Sequence, residues 1–155
     1  MILTENARLR LRTMCRDDLE ELYALLSDAE VMRWLEPPFT REQAERFLQQ
    51  AGLSEPPLVY AAESSEGEFL GYAIYHGYDE RSCELGWVLK PAFWHKGYAD
   101  EMTDLLTALA RRAGKDAVIE CAPEQTASAQ IARRHCFSYE GRAGGCDVYR
   151  LRCKE

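Results

Sequence analysis

The sequence of 155 residues predicts a single mixed α/β (α+β) domain, in which a twisted, mostly antiparallel sheet of about seven strands is flanked by about four helices. Three observations support this fold class. Strand-like and helix-like segments follow one another in the order β-α-α-β-β-β-α-β-α-β-β. Hydrophobic residues make up 46% and charged residues 29%, which are ordinary values for a globular chain. No repeat or linker divides the chain, so we treat residues 1–155 as one domain.

The first strand and the first two helices are predicted from hydrophobic periodicity. In residues 7–13, leucines alternate with arginines, the two-residue period of a strand with one buried face. In residues 16–28, apolar side chains recur at helical spacing, and acidic residues near the start suit the helix dipole. Two prolines then interrupt the chain before residues 40–50, where Thr40 can cap a second helix that Gly52 ends.

The middle of the chain is predicted to form three strands joined by short turns. Residues 57–64, 69–78 and 83–90 have strand character, and the segments SSEGE and DERS between them carry turn residues. Successive strands with such short connections are typical of an antiparallel meander. This meander forms the centre of the predicted sheet.

The last third of the chain returns to alternating helices and strands. Residues 100–114 carry an apolar stripe at helical spacing and end in a glycine that can stop a helix. A strand over residues 115–122 and a helix over residues 126–135 follow. Residues 138–152 then predict a terminal hairpin that turns at two adjacent glycines.

Charge and composition exclude several function classes. The net charge of −7 argues against nucleic acid as the main partner, because a surface that binds phosphates normally carries a basic excess. It suits a cationic partner, or it serves solubility alone. The N-terminal segment meets charge too early for a secretory signal, and no stretch approaches the roughly 20 apolar residues that span a bilayer. We therefore expect a cytoplasmic protein with no membrane partner.

The cysteines and histidines do not form a recognisable metal or redox motif. Six cysteines are scattered without a Cys-x-x-Cys pair, so we expect free, mostly buried thiols rather than disulfides or zinc. The three histidines are too far apart for a metal set, so we expect no metal. The sequence also lacks the Gly-x-Ser-x-Gly and Gly-x₄-Gly-Lys motifs, which disfavours serine hydrolysis and nucleotide hydrolysis.

The segment FWHKGYAD, residues 93–100, stands between a predicted strand and a long predicted helix. The first amides of a helix lack intrahelical acceptors and carry partial positive charge, so a turn that exposes them binds anions. Gly97 permits an unusual backbone angle or the close approach of a ligand, and small Ala99 keeps the next amide open. Lys96 adds a mobile positive charge. A diphosphate suits this turn, although a glycine before a helix is also a common plain connection.

The residues around this turn resemble a known family. Residues 84–106, ELGWVLKPAFWHKGYADEMTDLL, are similar to the central region of the GNAT acetyltransferases, particularly the branch of ribosomal-protein N-terminal acetyltransferases (RimJ/RimL type). The resemblance extends from residues 9–28 to residues 125–137, QTASAQIARRHCF, and so covers most of the chain. It implies a GNAT fold and transfer of an acetyl group from acetyl-CoA to an amine.

The resemblance also implies which residues bind acetyl-CoA. The strand end at Val88, Leu89 and Lys90 would pair with the pantetheine amides as an added strand would. Gln125 and Ser128 match the branch's Asn-x-x-Ser pattern, with glutamine where asparagine is usual. The pyrophosphate would be held by the loop amides of the following residues: His95, Lys96, Gly97, Tyr98 and Ala99.

Catalysis of acetyl transfer needs a proton acceptor for the amine and a proton for the departing thiolate. Glu84 is the candidate base, because strand alternation places it on the face of Gly86 and Val88, beside the expected thioester. A structural glutamate paired with an arginine on a neighbouring strand is the alternative. Ser128, through the family resemblance, is the candidate for contacting or protonating the thiol. The tyrosine that many relatives use for this step is replaced by Ala132, so that route is closed.

The acceptor is expected to bind between the first two helices and the terminal hairpin. Trp34, Phe39 and Tyr75 are the candidates for surrounding it, with Glu36 attracting a cation. The expected acceptor is an amine-bearing small molecule or a peptide N-terminus, and the chain is expected to be a monomer or a homodimer. The alternative function is a non-catalytic acyl-CoA-binding sensor or interaction module of the same fold. Three departures from the family pattern favour that alternative: Trp94, Ala132 and Cys136.

Overall fold

The computed structural model describes residues 1–154, which form one mixed sheet of eight strands with helices on both faces. The strand order is β1-β2-β3-β4-β5-β6-β8-β7, and all neighbours are antiparallel except β5 and β6, which run parallel. This confirms the predicted fold class. The strands are β1 (Ile2–Glu5), β2 (Leu9–Arg12), β3 (Val59–Ser64), β4 (Phe69–Asp79), β5 (Ser82–Leu89), β6 (Asp116–Cys121), β7 (Ser138–Ala143) and β8 (Cys146–Leu151).

The helices begin and end close to the predicted residues. Thr40 caps the second helix as predicted, since its hydroxyl accepts a hydrogen bond from the Gln43 N–H at 3.2 Å. This helix continues through a wider turn to Gly52. Gly114 follows the third helix in the left-handed region, with φ of 70°. The helices are α1 (Leu19–Leu26), α2 (Arg41–Phe47), α3 (Tyr98–Arg112) and α4 (Thr126–Arg134).

The structure adds one strand to the predicted seven. Strand β1 pairs antiparallel with β2 at the edge of the sheet. Its four residues are exposed or half-buried, so they carry no clear hydrophobic alternation from which a strand could be predicted. The turn to β2 is closed by the Asn6 side chain, which accepts hydrogen bonds from the N–H groups of Arg8 at 2.8 Å and Leu9 at 3.0 Å.

The hydrophobic core lies in two layers, one on each face of the sheet. Helices α3 and α4 cover one face, where Met102 and Leu106 pack against Leu85 of β5. Helices α1 and α2 cover the other face, where Leu22 packs in the cluster that contains Val88 of β5. Strand β5 therefore contributes alternate side chains to both layers and is fixed from both sides.

A buried ion pair joins β2 to the start of α1. Asp18 is 6% exposed and accepts two hydrogen bonds of 2.9 Å from the Arg12 guanidinium and one of 2.8 Å from the Cys15 N–H. Burial alone would raise the pKa of the Asp18 carboxyl, but these hydrogen bonds outweigh it and hold that pKa below its ordinary value. Arg12 also donates to Glu63 of β3 at 2.9 Å, so the pair is part of a network across three elements.

The six cysteines are free thiols, as predicted, but the expectation that most are buried is wrong. Of the six, Cys121 alone is buried, while Cys15 and Cys136 are exposed. Cys136 lies in the turn after α4 with φ of 70°, a connection rather than a core position. Within residues 1–154, no group of three or more His, Cys, Asp and Glu side chains is arranged to hold a metal ion. None of the helices formed by these residues has both the length and the apolarity that crossing a membrane requires.

Candidate functional site

The site begins where two central strands separate. Strands β5 and β6 pair only at Ser82 with Asp116, Cys83 with Ala117, and Glu84 with Val118. Beyond this point β5 continues to pair with β4, and β6 with β8, but no strand among residues 1–154 pairs with the outer part of β5 on its β6 side. The sheet therefore contains a notch, with unpaired backbone groups of β5 along one side.

The turn after β5 presents the N-terminus of α3 to the same notch. A short 3₁₀ turn spans Pro91–Phe93, and the chain then passes through His95, with φ of 61°, and Gly97, with φ of 86°. Helix α3 begins directly afterwards, and its Glu101 N–H donates to the Gly97 carbonyl at 3.1 Å. The amides ahead of Glu101 have no intrahelical acceptor, which is the condition for an anion site. Gly97 has a left-handed backbone angle, which is one of the two reasons given above for a glycine at this position.

A cavity of about 650 Å³ joins the notch, the turn and the start of α4. Its wall includes all of the sequence-predicted cofactor-binding residues except Lys90 and Lys96. Of the four residues predicted for the acceptor, Trp34 alone lies on it. The predicted residues on the wall are Trp34, Val88, Leu89, His95, Gly97, Tyr98, Ala99, Gln125 and Ser128.

The two lysines predicted for this site are engaged elsewhere. The Lys90 ammonium pairs with the Glu21 carboxylate of α1, and the Lys90 N–H donates to the Leu70 carbonyl of β4 at 2.9 Å. The Lys96 ammonium lies 5.9 Å from the centre of the Phe93 ring, a cation–π contact. Neither lysine lies on the cavity wall, so the groups that this turn presents to the cavity are its backbone amides rather than these two charges.

The start of α4 closes the far side of the cavity. Gln125 precedes the helix, and its side-chain oxygen accepts a hydrogen bond from the Ala122 N–H at 3.1 Å. The glutamine thus closes the loop that follows β6. Ser128 lies in the first turn of α4, half-buried against the cavity.

Trp94 has a structural role that the sequence did not reveal. Its indole N–H donates to the Leu89 carbonyl at 2.9 Å, and its ring packs against both core layers while it lines the cavity. This side chain fixes the turn to the end of β5. An aromatic residue in a loop is the one sequence signal of such a role, and that signal is weak.

Glu84 occupies the last paired position before the strands separate. Its side chain is 24% exposed and lies 3.8 Å from the His76 Nε2, between neighbouring positions of β5 and β4. Burial raises the pKa of the Glu84 carboxyl, His76 opposes the rise, and Glu120 adds to it. The expected alternative, an arginine partner, is not what the described residues show, since the basic side chain nearest to the Glu84 carboxylate is that of His76. Glu84 is not part of the cavity wall itself.

Three residues beside Glu84 were missed in the sequence. His76 lies across from it on β4, and Glu120 lies on β6 beyond the junction. The Tyr78 hydroxyl donates to Glu120 Oε2 at 2.5 Å, which raises the pKa of Tyr78 to about 12. Two-residue alternation along β4 and β6 predicts which side chains share a face of each strand. It does not predict that these side chains lie near Glu84, because that depends on which strands are neighbours in the sheet.

The predicted acceptor residues do not come together. Phe39 packs against Phe47 at 6.2 Å in the layer of α1 and α2, whereas Tyr75 packs in the opposite layer, under α3. Glu36 is exposed, and Trp34 lies on the cavity wall. The four side chains therefore do not surround one pocket, because Tyr75 lies on the other face of the sheet.

Comparisons with known proteins agree with this geometry. The family profile described as "Acetyltransferase (GNAT) domain" matches residues 8–138. The chain is 25% identical over 138 residues to "Uncharacterized N-acetyltransferase YnaD" of Bacillus subtilis (strain 168), covering 86% of this chain and 81% of that protein. A GNAT-family acetyltransferase structure from Bacillus anthracis has a TM-score of 0.82 at 23% identity, covering 97% of this chain and 96% of that one. The structure of RimL, a ribosomal L7/L12 alpha-N-protein acetyltransferase, in complex with coenzyme A has a TM-score of 0.82 at 21% identity, with 97% of each chain covered.

Proposed function

Because the chain belongs to the GNAT acetyltransferase family, we propose that it moves the acetyl group of acetyl-CoA to a primary amine by direct attack of that amine. One observation carries the proposal: a single cavity joins the unpaired edge of β5 to the exposed N-terminus of α3. The first feature suits an extended chain with amide groups, and the second suits a diphosphate. Acetyl-CoA contains both, connected in that order.

The residues of the cavity fit the two parts of acetyl-CoA. The amides from His95 to Ala99 would hold the pyrophosphate, helped by the partial positive charge of a helix of 15 residues. The Lys90 N–H is bonded to β4, so by strand alternation the backbone of Val88 also faces β4, whereas that of Leu89 faces the notch. Backbone groups of Leu89 would therefore pair with the pantetheine amides, as in other cases where an extended ligand adds to a sheet edge. The RimL structure named above was solved with coenzyme A, which supports this assignment.

Glu84 is the proposed proton acceptor for the amine. Acetyl-CoA supplies the activated acyl group, and the chain must supply a neutral nucleophile. A peptide α-amine has a pKa of about 7.7 to 8.0 and a lysine side chain one of about 10.4, so a charged acceptor has to lose a proton before it attacks. The raised pKa of Glu84 makes it a better match for this task than an exposed glutamate. Since Glu84 lies beside the cavity rather than on its wall, a bridging water is the proposed route for the proton.

Ser128 is the proposed contact for the departing sulfur. It is one of two hydroxyl residues on the wall in the first turn of α4, and unlike Thr126 it is half-buried. A thiol has a pKa of about 8.5, so the sulfur can also leave as a thiolate that the Ser128 hydroxyl merely stabilises. We therefore expect loss of Ser128 to affect the rate less than loss of Glu84.

The acceptor class is proposed to be a primary amine on a small molecule or at a peptide N-terminus. The net charge of −7 favours a cationic acceptor by long-range attraction. The similarity to RimL, a ribosomal L7/L12 alpha-N-protein acetyltransferase, supports testing peptide N-termini first. A monomer or a homodimer remains the expected assembly.

The first test is thermal unfolding with acetyl-CoA, with NAD and ATP as controls for nonspecific phosphate binding. Acetyl-CoA at 100 times its Kd should stabilise the fold by about 2.7 kcal/mol. For a chain of this size that corresponds to a rise in Tm of roughly 5 to 10 °C. The absence of a selective rise would contradict the proposed site.

The second test separates transfer from binding alone. Thiol release from acetyl-CoA is followed with a panel of peptides, polyamines, amino sugars and amino acids. Release that depends on an amine supports the acetyltransferase. Tight binding without release from any amine would favour a non-catalytic acyl-CoA sensor.

A further inference from the structure

An arginine near the N-terminus of the sequence contacts the turn that precedes α3. We infer that Arg8 is a positioning residue: it fixes the peptide between Lys96 and Gly97 so that the Gly97 N–H points into the cavity. This inference rests on the proposed function, because it assigns a role in binding the pyrophosphate of acetyl-CoA. Arg8 does not touch the cavity and acts through the turn.

Arg8 makes three contacts with the turn and the start of α3. Its Nη2 donates to the Lys96 carbonyl at 3.0 Å. Its guanidinium carbon lies 4.3 Å from the centre of the Tyr98 ring, and its Nη1 pairs with the Glu101 carboxylate. Asn6 reinforces this arrangement, since its side chain donates to Glu101 at 3.0 Å and accepts from the Arg8 N–H at 2.8 Å. The tight turn between β1 and β2 is thereby attached to the start of α3.

The direction of the Gly97 N–H follows from the geometry of a peptide unit. The Lys96 carbonyl and the Gly97 N–H belong to one planar trans peptide, so they point in opposite directions. The carbonyl points to Arg8, which is not part of the cavity wall, while Gly97 itself lies on that wall. A Cβ added to Gly97 would lie 3.6 Å from Arg8 Nη1, which places Arg8 close behind the glycine. The amide is therefore directed toward the position proposed for the pyrophosphate.

The peptide needs such a contact because a glycine follows it. Rotating the Lys96–Gly97 peptide changes the φ of Gly97, and glycine adopts positive and negative φ about equally well. Without a partner for the carbonyl, the peptide has a second accessible orientation, in which the carbonyl oxygen faces the cavity. That orientation would replace a hydrogen-bond donor for the phosphate by a partial negative charge. The bond from Arg8 selects the orientation that binds an anion.

The test compares two arginines of the same edge of the sheet. Arg8→Met removes the contact with Lys96, and the matched control Arg10→Met removes an arginine whose partner is Glu63 at 3.6 Å. Binding of coenzyme A is measured by calorimetry, and binding of pantetheine, which has no phosphate, by NMR. We expect Arg8→Met to weaken coenzyme A binding by about tenfold, the cost of losing one hydrogen bond to a charged group. Pantetheine binding should stay unchanged in both variants.

A third variant separates orientation from charge. Arg8→Lys keeps the positive charge but loses the planar fork that reaches the Lys96 carbonyl and Glu101 together. We expect an intermediate loss of coenzyme A affinity, while an affinity equal to that of the unmodified chain would show that charge alone matters and would overturn the inference. Glu101→Gln weakens the ion pair that orients Arg8 and should also lower the affinity for coenzyme A. This variant replaces Arg8→Met in the test if Arg8→Met does not fold.

Two further outcomes would also overturn the role of Arg8. One is coenzyme A affinity in Arg8→Met equal to that of the unmodified chain. The other is an equal loss for coenzyme A and pantetheine, which would indicate a general structural defect rather than a phosphate-specific one. Failure of the proposed function is recognised separately, because the unmodified chain would then not bind coenzyme A at all.

Discussion

At the scale of single residues, Glu84 has the environment expected of a proton acceptor. Glu84→Gln should lower kcat strongly and leave the affinity for acetyl-CoA nearly unchanged, since the side chain lies outside the cavity wall. The base acts only when it is deprotonated, so kcat/KM should rise with pH through a pKa above the ordinary glutamate value. A pH–rate profile with the acid limb intact in the variant would reject the assignment. Glu66→Gln, an exposed change in the turn between β3 and β4, is the control.

The same glutamate should cost the protein stability. Because the folded-state pKa of Glu84 is raised, its favourable contribution is present below the unfolded-state pKa and is lost as the pH rises through the folded-state pKa. At pH 7 the ionised Glu84 carboxylate therefore lowers the free energy of unfolding, and the neutral amide of Glu84→Gln removes this unfavourable contribution. We expect the variant to unfold at a higher urea concentration than the unmodified chain at pH 7. A lower midpoint would mean that the contact with His76 outweighs burial.

Gly97 offers a prediction with a matched control. Gly67, in the turn between β3 and β4, has the same φ of 86°. No described atom lies within 4 Å of a Cβ added at Gly67, and those near a Cβ at Gly97 are at ordinary contact distance. Alanine at either position should thus cost about 1 to 2 kcal/mol of stability through the left-handed backbone alone. Gly97→Ala should also weaken binding of coenzyme A, because alanine disfavours the left-handed angle that sets the direction of the Gly97 amide, and equal binding by the two variants would contradict the phosphate assignment of the turn.

At the scale of elements, the prediction from sequence succeeded where the signal is local. The cap at Thr40, the stop at Gly114 and the terminal hairpin all follow from residues within a few positions of one another. The site depends instead on long-range pairing. Arg8 and Lys96 are 88 positions apart in the sequence. No residue pattern in β5 or β6 indicates where the pairing between these two strands ends. Tyr75 was misplaced for the same reason, since the face to which it points depends on the register of the folded sheet.

The ion pair of Arg12 and Asp18, which connects β2 to the start of α1, is predicted to matter for stability rather than for activity. Asp18→Asn removes one of the two carboxylates that pair with the half-buried Arg12, which keeps Glu63, and should cost about 1 to 3 kcal/mol at pH 7. The pKa of Asp18 is lowered in the folded state, so this contribution is present above the unfolded-state pKa and is lost as the pH falls through the folded-state pKa. Denaturation of the two proteins at a series of pH values should therefore show their difference shrinking in acid. Asp17→Asn, at the exposed neighbour, should change little.

At the scale of the whole molecule, the sheet consists of two blocks that meet at one short junction. Strands β1 to β5 form one continuous antiparallel block, and β6, β8 and β7 form the other. Three residue pairs join the blocks through backbone pairing, and α3 connects them in the chain. The order of elements in the sequence predicted one mixed sheet with helices packed on it, while the division of this sheet into two blocks became visible only in the structure.

The short junction has a consequence for hydrogen exchange. Backbone groups of a strand alternate in direction, so every second amide in the outer part of β5 points into the notch instead of toward β4. These amides should exchange with solvent faster than their neighbours in the same strand, although they lie in the middle of an eight-stranded sheet. If a pantetheine chain occupies the notch, acetyl-CoA should slow their exchange selectively. The ligand would then serve as a temporary strand, and the protection of β5 would report its presence residue by residue.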